Sequence, residues 1–328
     1  MAKLLRGRLS FVTGLFLLTV AGLTHSAGFP EPGKVFSLVV PFGPGGGSDL
    51  SARALVQSLE KALGTTVQVV NKAGAASQVG MTFVATSAPD GYTVGYALWP
   101  ALITLYLDPA RKASFSRKSF EPVALHMSDP SIIAVRADSP HRTLKDLMDA
   151  AKRNPGKIRI SDSGLLSPDH LGLLQIEKIS GVKLAIAHID TGPGITALLG
   201  GHTDAIDGGI APMRSYLQSG TIRAIAVLAD RESAALPGVP TAKSQGMDVN
   251  SSSNRGFVVP AGTPKAVIET LSAAFKKAIE SPEHQELLAK LGQKSTYMNS
   301  QELATYWDVM EAGIKPLLDQ ELKELGRK

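Results

Sequence analysis

No cysteine occurs among the 328 residues. Disulfides, thiolate metal ligands and a lipid-modified cysteine are therefore excluded, and stability has to come from an apolar core. Aromatic residues make up only 5%. Past the N-terminal segment no stretch approaches the roughly 18 uninterrupted apolar residues of a membrane-spanning helix. Charge of one sign is scarce too. Three of the 34 basic residues, Lys3, Arg6 and Arg8, sit in the N-terminal segment, leaving 31 basic against 29 acidic residues and a net charge of +2. With no dense Lys/Arg stripe interleaved with aromatics, nucleic acid is excluded as a partner. Signatures of catalysis are missing as well: there is no G-x-S-x-G and no H-E-x-x-H, and the seven histidines are scattered without metal-ligand spacing. Neither a metal nor a cofactor is expected.

What is present begins with an export signal. Lys3, Arg6 and Arg8 form a basic start, Leu9 to Leu23 an apolar stretch, and the small residues Ser26 and Ala27 follow. Cleavage is expected after Ala27, with Ser26 as the alternative because His25 stands at the minus-three position; a retained N-terminal anchor is the competing reading. The compartment implied is a bacterial periplasm.

From Lys34 onward, short β-branched runs alternate with helical periods, which predicts an α/β fold of mainly parallel sheets flanked by helices. Strands are predicted at 35–41, 66–70, 92–98, 132–136, 158–160, 204–207 and 222–228. Ser48 or Asp49 is expected to cap a helix that carries Leu55, Leu59 and Leu63 on one face and ends at Gly64. Thr143 opens a second helix to about Arg153, where Asn154-Pro155-Gly156 stops it. Thr263-Pro264 and Ser281-Pro282 read as cap residues before a first-turn proline, and Asn299 with Glu302 as a capping box. The last 65 residues are thus mostly helical.

The stretch Pro41-Phe42-Gly43-Pro44-Gly45-Gly46-Gly47-Ser48-Asp49 joins the first strand to the first helix. It is no dinucleotide fingerprint, since Ser48 stands where the third glycine belongs, and no P-loop, since the lysine is missing. A glycine turn that opens a helix presents free N–H groups at the positive end of the dipole, which suits an anion, and without a lysine a carboxylate fits better than a triphosphate. The alternative is a tight turn whose glycines merely permit positive φ. Asp162-Ser163-Gly164 and Asp190-Thr191-Gly192 look like the paired signatures of aspartic proteases. Only 28 residues separate the two aspartates, and the α/β rhythm around them does not fit that fold. His170 stands at a helix start, where it either contacts a ligand or caps its own turn. His188 follows an apolar run and reads as a core histidine.

Together these segments resemble the periplasmic substrate-binding proteins of tripartite tricarboxylate transporters, the Bug-type receptors. The resemblance is carried by VVPFGPGGGSDLSAR at 39–53, NKAGAASQVG at 71–80, APDGYTV at 88–94, FEPVAL at 120–125, NPGKI at 154–158, GGHTDA at 200–205, IRAIAVLADR at 222–231, LPGVPT at 236–241 and VPAGTP at 259–264. It implies a two-lobed venus-flytrap. Residues 28–128 and 255–328 would form lobe 1, and 129–254 lobe 2, with crossing segments near 126–130 and 250–256. Lobe 1 would hold a carboxylate with Phe42, Gly45, Gly46, Gly47, Ser48 and Asp49 and with a second loop of Gly74, Ala75, Ala76, Ser77 and Gln78. Lobe 2 would contribute Ser161, Asp162, Ser163, Gly164, His170, Asp190, Thr191 and Asp207.

The second lobe departs from the family pattern. In the run Ser161 to Leu171 a usual glycine is replaced by Leu166 and Asp162 adds a charge, while the usual Y-K-G is replaced by Ile189-Asp190-Thr191-Gly192. Added carboxylates would repel a second ligand carboxylate, so the far end of the ligand is expected to be neutral, hydroxylated or cationic. The expected protein is a monomeric, non-enzymatic solute receptor that captures a small organic acid for membrane permease subunits. A hydrolase using Asp162 or Ser163, or a receptor for a membrane sensor, are the alternatives.

Overall fold

The computed structural model describes residues 28–326 except 32, 234 and 292. The export signal therefore lies outside the described residues. Among those described, no helix is long and apolar enough to cross a membrane.

The first sheet contains β1 (Phe36–Val40), β2 (Val67–Asn71) and β3 (Thr93–Trp99), linked by α1 (Gly47–Leu63) and α2 (Gln78–Ala85), with α3 (Ala101–Leu107) following β3. Then comes the long β4 (Phe120–Arg136). The middle of the chain alternates α4 (Leu144–Arg153), β5 (Arg159–Asp162), α5 (Pro168–Ser180), β6 (Ala185–His188), α6 (Thr191–Leu199), β7 (Ala205–Gly209), α7 (Ile210–Gln218) and β8 (Ile222–Val227). A second long strand, β9 (Ser252–Pro260), precedes α8 (Lys265–Ile279), α9 (Pro282–Lys290) and α10 (Ser300–Glu324). The order across the molecule is β2-β1-β3-β9-β4-β7-β5-β6, with β8 also on β4. Pairs β1–β2, β1–β3, β5–β6 and β5–β7 are parallel. Every antiparallel pair involves β4 or β9.

β4 belongs to both halves. From Phe120 to Pro130 it pairs with β9, and from Ser131 to Arg136 with β7 and β8. Hydrophobic periodicity gave only its second part and not β9, because Pro122 and Pro130 interrupt one and Ser252-Ser253-Asn254-Arg255 opens the other with polar residues; the family resemblance alone pointed to crossing segments near 126–130 and 250–256. A register shift at Pro122/Ala124 accommodates the first proline, a second lies at Leu125/Met127, and Pro130 pairs in register with Ser252. The edge strand β6 was also not predicted.

Strand alternation builds the cores. Phe36, Leu38 and Val40 of β1 face α1 and α8, with Leu55, Leu59 and Phe275, while Val39 faces α2 and α10, with Met81, Val84 and Trp307. In the other half, Ile133, Val135, Ile160 and Ala205 meet α4 and α5, and Ile132, Ala134 and Ile206 meet α6 and α7. α10 shares one cluster with Trp99 of β3 and Leu171 of α5, so it lies along the seam between the halves.

Several end signals are realised. Gly64 terminates α1 at φ 70, Thr143 and Asn299 make capping boxes, and Ser281 accepts from the His284 N–H. Two are corrected. The N-cap of α1 is Gly46, with no side-chain bond, so Ser48 and Asp49 lie inside the first turn, where their side chains make other contacts. The N-cap of α8 is Pro264, and Thr263 instead donates to the Pro260 carbonyl at 2.8 Å.

A buried polar chain ties β3, β4, α9 and α1 together. The Ala54 carbonyl can only accept, so His284 Nδ1 carries a proton and donates to it at 3.1 Å. Neutral His284 then accepts at Nε2 from His126 Nε2–H at 2.8 Å, and His126 Nδ1 accepts from Tyr96 Oη at 2.6 Å. Burial pushes both imidazoles down in pKa, which keeps this relay uncharged.

The ribbon of β4 and β9 tolerates no side chain at Gly256. A Cβ there would stand 2.6 Å from the Ala124 carbonyl oxygen and 3.1 Å from both Leu125 Cα and Trp99 Cζ3. Gly256→Ala is expected to destabilise the protein by roughly 2–3 kcal/mol, read by chemical denaturation; an unchanged midpoint would contradict the close packing.

Candidate functional site

The glycine loop owes its shape to one carboxylate. Asp49, in the first turn of α1, is only 2% exposed and accepts from the Gly45 N–H at 2.8 Å, from Asn71 Nδ2 at 2.8 Å and from Arg53 Nε at 2.9 Å. Burial disfavours its charge, but the bonds from Arg53, Gly45 and Asn71 outweigh that and hold its pKa below the usual carboxylate range. Asp49 is thus turned inward as the organiser of the loop. Gly45 has φ 81 and spends its N–H on Asp49. The N–H groups of Gly46, Gly47 and Ser48 open α1 and have no intrahelical acceptor. The Phe42 ring packs on the lobe core, and its carbonyl accepts from Asn71 Nδ2 at 3.1 Å.

The second loop is strained. Gly74 has φ 137, and Ala75, Ala76 and Ser77 follow at φ 47, 53 and 80. A left-handed conformation costs a non-glycine residue roughly 1–2 kcal/mol, so three in succession mark a backbone held for a purpose. Gln78 begins α2 and donates from Nε2 to the Arg111 carbonyl at 3.1 Å. The two loops are locked to each other at Gly80, where a Cβ would stand 2.6 Å from Pro41 Cβ and 2.7 Å from the Lys72 carbonyl oxygen.

Across the crossing strands, the ends of β5 and β7 meet the start of α5. Asp162 is 1% exposed and accepts from the Gly164 N–H at 2.9 Å and from His188 Nδ1 at 2.9 Å. Burial raises its pKa, and those bonds only partly offset it. Ser163 donates to Asp169 Oδ2, and Ser131 donates to Asp169 Oδ1 at 2.5 Å. Ser161 points to the other face of β5, toward α6, and stands apart from this group. Asp207 is fully buried, with neither carboxyl oxygen in a well-formed hydrogen bond and the Gly208 N–H as a weak donor beside it. Burial, then the carboxylates of Asp169 and Asp162, push it well above the usual range. Thr191 flanks Gly208 beside it, while Asp190 is exposed at the start of α6 and makes no cap bond.

His188 corrects an expectation. It ends the edge strand β6 with 36% of its side chain exposed, set ring edge against His170 at 4.6 Å, and is not a core histidine. Asp162, His170 and His188 place possible ligand atoms within 4.8 Å of one another, a grouping that sequence spacing did not reveal. The hydrogen bonds argue against a metal there. His170 Nδ1 accepts from the Leu166 N–H at 3.0 Å, so its proton is on Nε2, and His188 Nδ1 is engaged with Asp162. A metal-bound imidazole donates its second nitrogen to an acceptor, as His188 does to Asp162, whereas His170 accepts at Nδ1 instead, and it is this bond that argues against a metal. Burial, then His188, push the pKa of His170 down to about 4. Leu166, at the family's glycine position, keeps a left-handed φ of 60 and buries its side chain in the seam cluster.

Sequence reading missed Arg53, Asn71, Asp129, Asp169 and Arg255. The i,i+4 spacing of Asp49 and Arg53 was a usable signal. The others depend on strand pairing. Arg255 Nε donates to Ser48 Oγ at 3.2 Å, joining the glycine loop to β9. On the opposite face of β9, Ser252, Tyr306, Leu171 and Asn250 line a separate cavity of about 370 Å³.

Asp207 gives a test of the buried acidic group. Its folded-state pKa is raised, so the folded protein holds a proton that the unfolded carboxyl releases above about pH 4, and folding is penalised as pH rises. Asp207→Asn is therefore expected to melt roughly 3–6 °C above the parent at pH 8. The difference should shrink as pH falls toward 4 in calorimetry, and equal melting at pH 8 would contradict it.

Comparison with known proteins identifies the family and the fold. A model described as the tripartite tricarboxylate transporter family receptor matches residues 51–320. A protein of Cupriavidus necator, from the gbd 5' region, is 31% identical over 282 residues, covering 84% of each chain. A TctC solute-binding protein from Polaromonas superposes with a TM-score of 0.83 at 28% identity, over 89% of this chain and 99% of that one. MatC of Rhodopseudomonas palustris, solved with bound malate, shares the fold with a TM-score of 0.66 at 24% identity, over 88% of this chain and 100% of that one. The family is one of solute receptors and not of enzymes, and this chain belongs to it, as a tripartite tricarboxylate transporter family receptor.

Proposed function

We propose that the protein is a periplasmic receptor that holds a small carboxylate between its halves and delivers it to a membrane permease. The N–H groups of Gly46, Gly47 and Ser48 and the strained loop of Ala75 to Gln78 grip the carboxylate. The observation that carries this reading is the inward turn of Asp49: its carboxylate is consumed by Gly45, Arg53 and Asn71. No anionic side chain of the loop then competes with a ligand for the N–H groups at the helix N-terminus. Malate bound to MatC is a carboxylate of this size class. Closure would move 129–254 against 28–128 and 255–328 about the β4–β9 ribbon, as a monomer.

Thermal melting with a panel of mono- and dicarboxylates tests this directly. At a hundredfold excess over Kd, a bound ligand stabilises by about 2.7 kcal/mol, so at least one should raise the midpoint by several degrees and be recovered unchanged. Ser48→Trp should abolish the shift for every carboxylate while leaving the unliganded midpoint within about 2 °C, since it adds no buried polar group. Retention of the shift in that variant would sink the proposal.

A further inference from the structure

The two crossing strands present opposite faces with different chemistry. On β9, Ser252 and Asn254 turn toward α10, where Ser252 Oγ lies 3.5 Å from Tyr306 Oη. Arg255 and Ser253 alternate to the other face, and there Arg255 Nε meets Ser48 of the glycine loop. In the β4–β9 register Met127 is opposite Arg255 and Asp129 is opposite Ser253. Arg255 and Asp129 are therefore diagonal neighbours on one face, roughly 7–8 Å apart along the backbone.

The two charges do not consume each other. Among the described residues no ion pair within 4.0 Å joins them, and the hydrogen bond Arg255 makes is from Nε, not from its terminal nitrogens. Its fork is left in a geometry suited to a bidentate carboxylate. Asp129 is half-buried, with its Oδ2 3.5 Å from where a Cβ on Gly209 would stand, at the N-terminus of α7. Its charged neighbours are Arg255, Asp169 and Arg214. Behind it, Asp169 and Asp162 are buried with their bonds to Ser131, Ser163, Gly164 and His188, and Asp207 lies in the same group, fully buried and with neither oxygen in a well-formed hydrogen bond. This face is thus positive where Arg255 meets the glycine loop and carries carboxyl groups toward β5 and β7, with Arg255 and Arg214 as the guanidinium groups beside Asp129.

We propose that the ligand is a zwitterion, a short molecule with a carboxylate at one end, gripped by Arg255 and the glycine loop, and a protonated amine or guanidine at the other, received by Asp129. Asp162, Asp169 and Asp207 are too deeply buried to touch the ligand, and of the three it is Asp169 whose negative charge acts on Asp129. A second carboxylate would meet like charge there, whereas a cation meets the acid that is accessible. This inference rests on the carboxylate-receptor reading and names its substrate class.

Isothermal titration calorimetry on the full chain tests it with two matched series: β-alanine, 4-aminobutanoate and 5-aminopentanoate against succinate, glutarate and adipate, with butanoate as the singly charged control. At least one amino acid should bind tenfold or more tighter than the dicarboxylate of equal length, a comparison that needs no variant. Asp129→Asn, which keeps the shape of the side chain, should weaken that amino acid at least tenfold and leave butanoate within twofold. Arg255→Gln should weaken every carboxylate at least tenfold. Tighter binding of the dicarboxylates, or an Asp129→Asn protein that binds the amino acid within twofold of the parent, would overturn the zwitterion and leave the carboxylate receptor standing. Silence from both series and from butanoate would overturn the two together.

Discussion

The pairing of β4 with β9 is the constraint on which the rest of the molecule depends. β4 has to serve two sheets, pairing with β9 from Phe120 to Pro130 and with β7 and β8 from Ser131 onward. A ribbon of two strands has two faces, and each has its own use. One carries Ser252 and Asn254 toward α10 and the seam; the other carries Arg255 and Asp129 between the glycine loop and the acidic ends of β5 and β7. Gly256 lets the ribbon close onto Ala124 and Trp99. The Tyr96–His126–His284 relay fastens β4 to α9 and to the helix that the glycine loop opens.

The two halves treat charge differently. In the first, Asp49 is buried but well bonded, so its charge is retained and spent on shaping the glycine loop. In the second, Asp207 is buried with neither carboxyl oxygen in a well-formed hydrogen bond and its pKa is pushed up by burial, while Asp162 and Asp169 keep partners. Burying an unbonded polar group costs stability. Its burial beside the ends of β5 and β7 fits the pattern of strain and unsatisfied chemistry gathering at functional sites, as do the consecutive left-handed residues Ala75 to Ser77.

Local patterns were the legible part of the sequence. The apolar periods of β1, α1 and α4, the caps at Thr143, Ser281 and Asn299, and the two glycine-rich loops could all be read because each depends on residues a few positions apart. β9 and the first part of β4 were hidden by prolines and polar residues that only tertiary pairing overrides. The direction of Asp49 was illegible for a related reason. Its position beside the glycines suggested a ligand contact, but its partner Asn71 comes from the next strand. His188 was misplaced because an apolar run of four residues reads alike in a core strand and an edge strand. Arg255 and Asp129 become neighbours only through the register of two strands more than a hundred residues apart in the chain.

The account centres on backbone N–H groups as the carboxylate grip. Residue-resolved amide hydrogen exchange, with and without a saturating carboxylate, reads those groups directly. Slowed exchange concentrated at Gly46, Gly47 and Ser48 and at Ala75 to Gln78, for every carboxylate that binds, is the predicted result. Slowing confined to other regions, such as the residues around the Tyr306 cavity, with both loops unchanged, would contradict it.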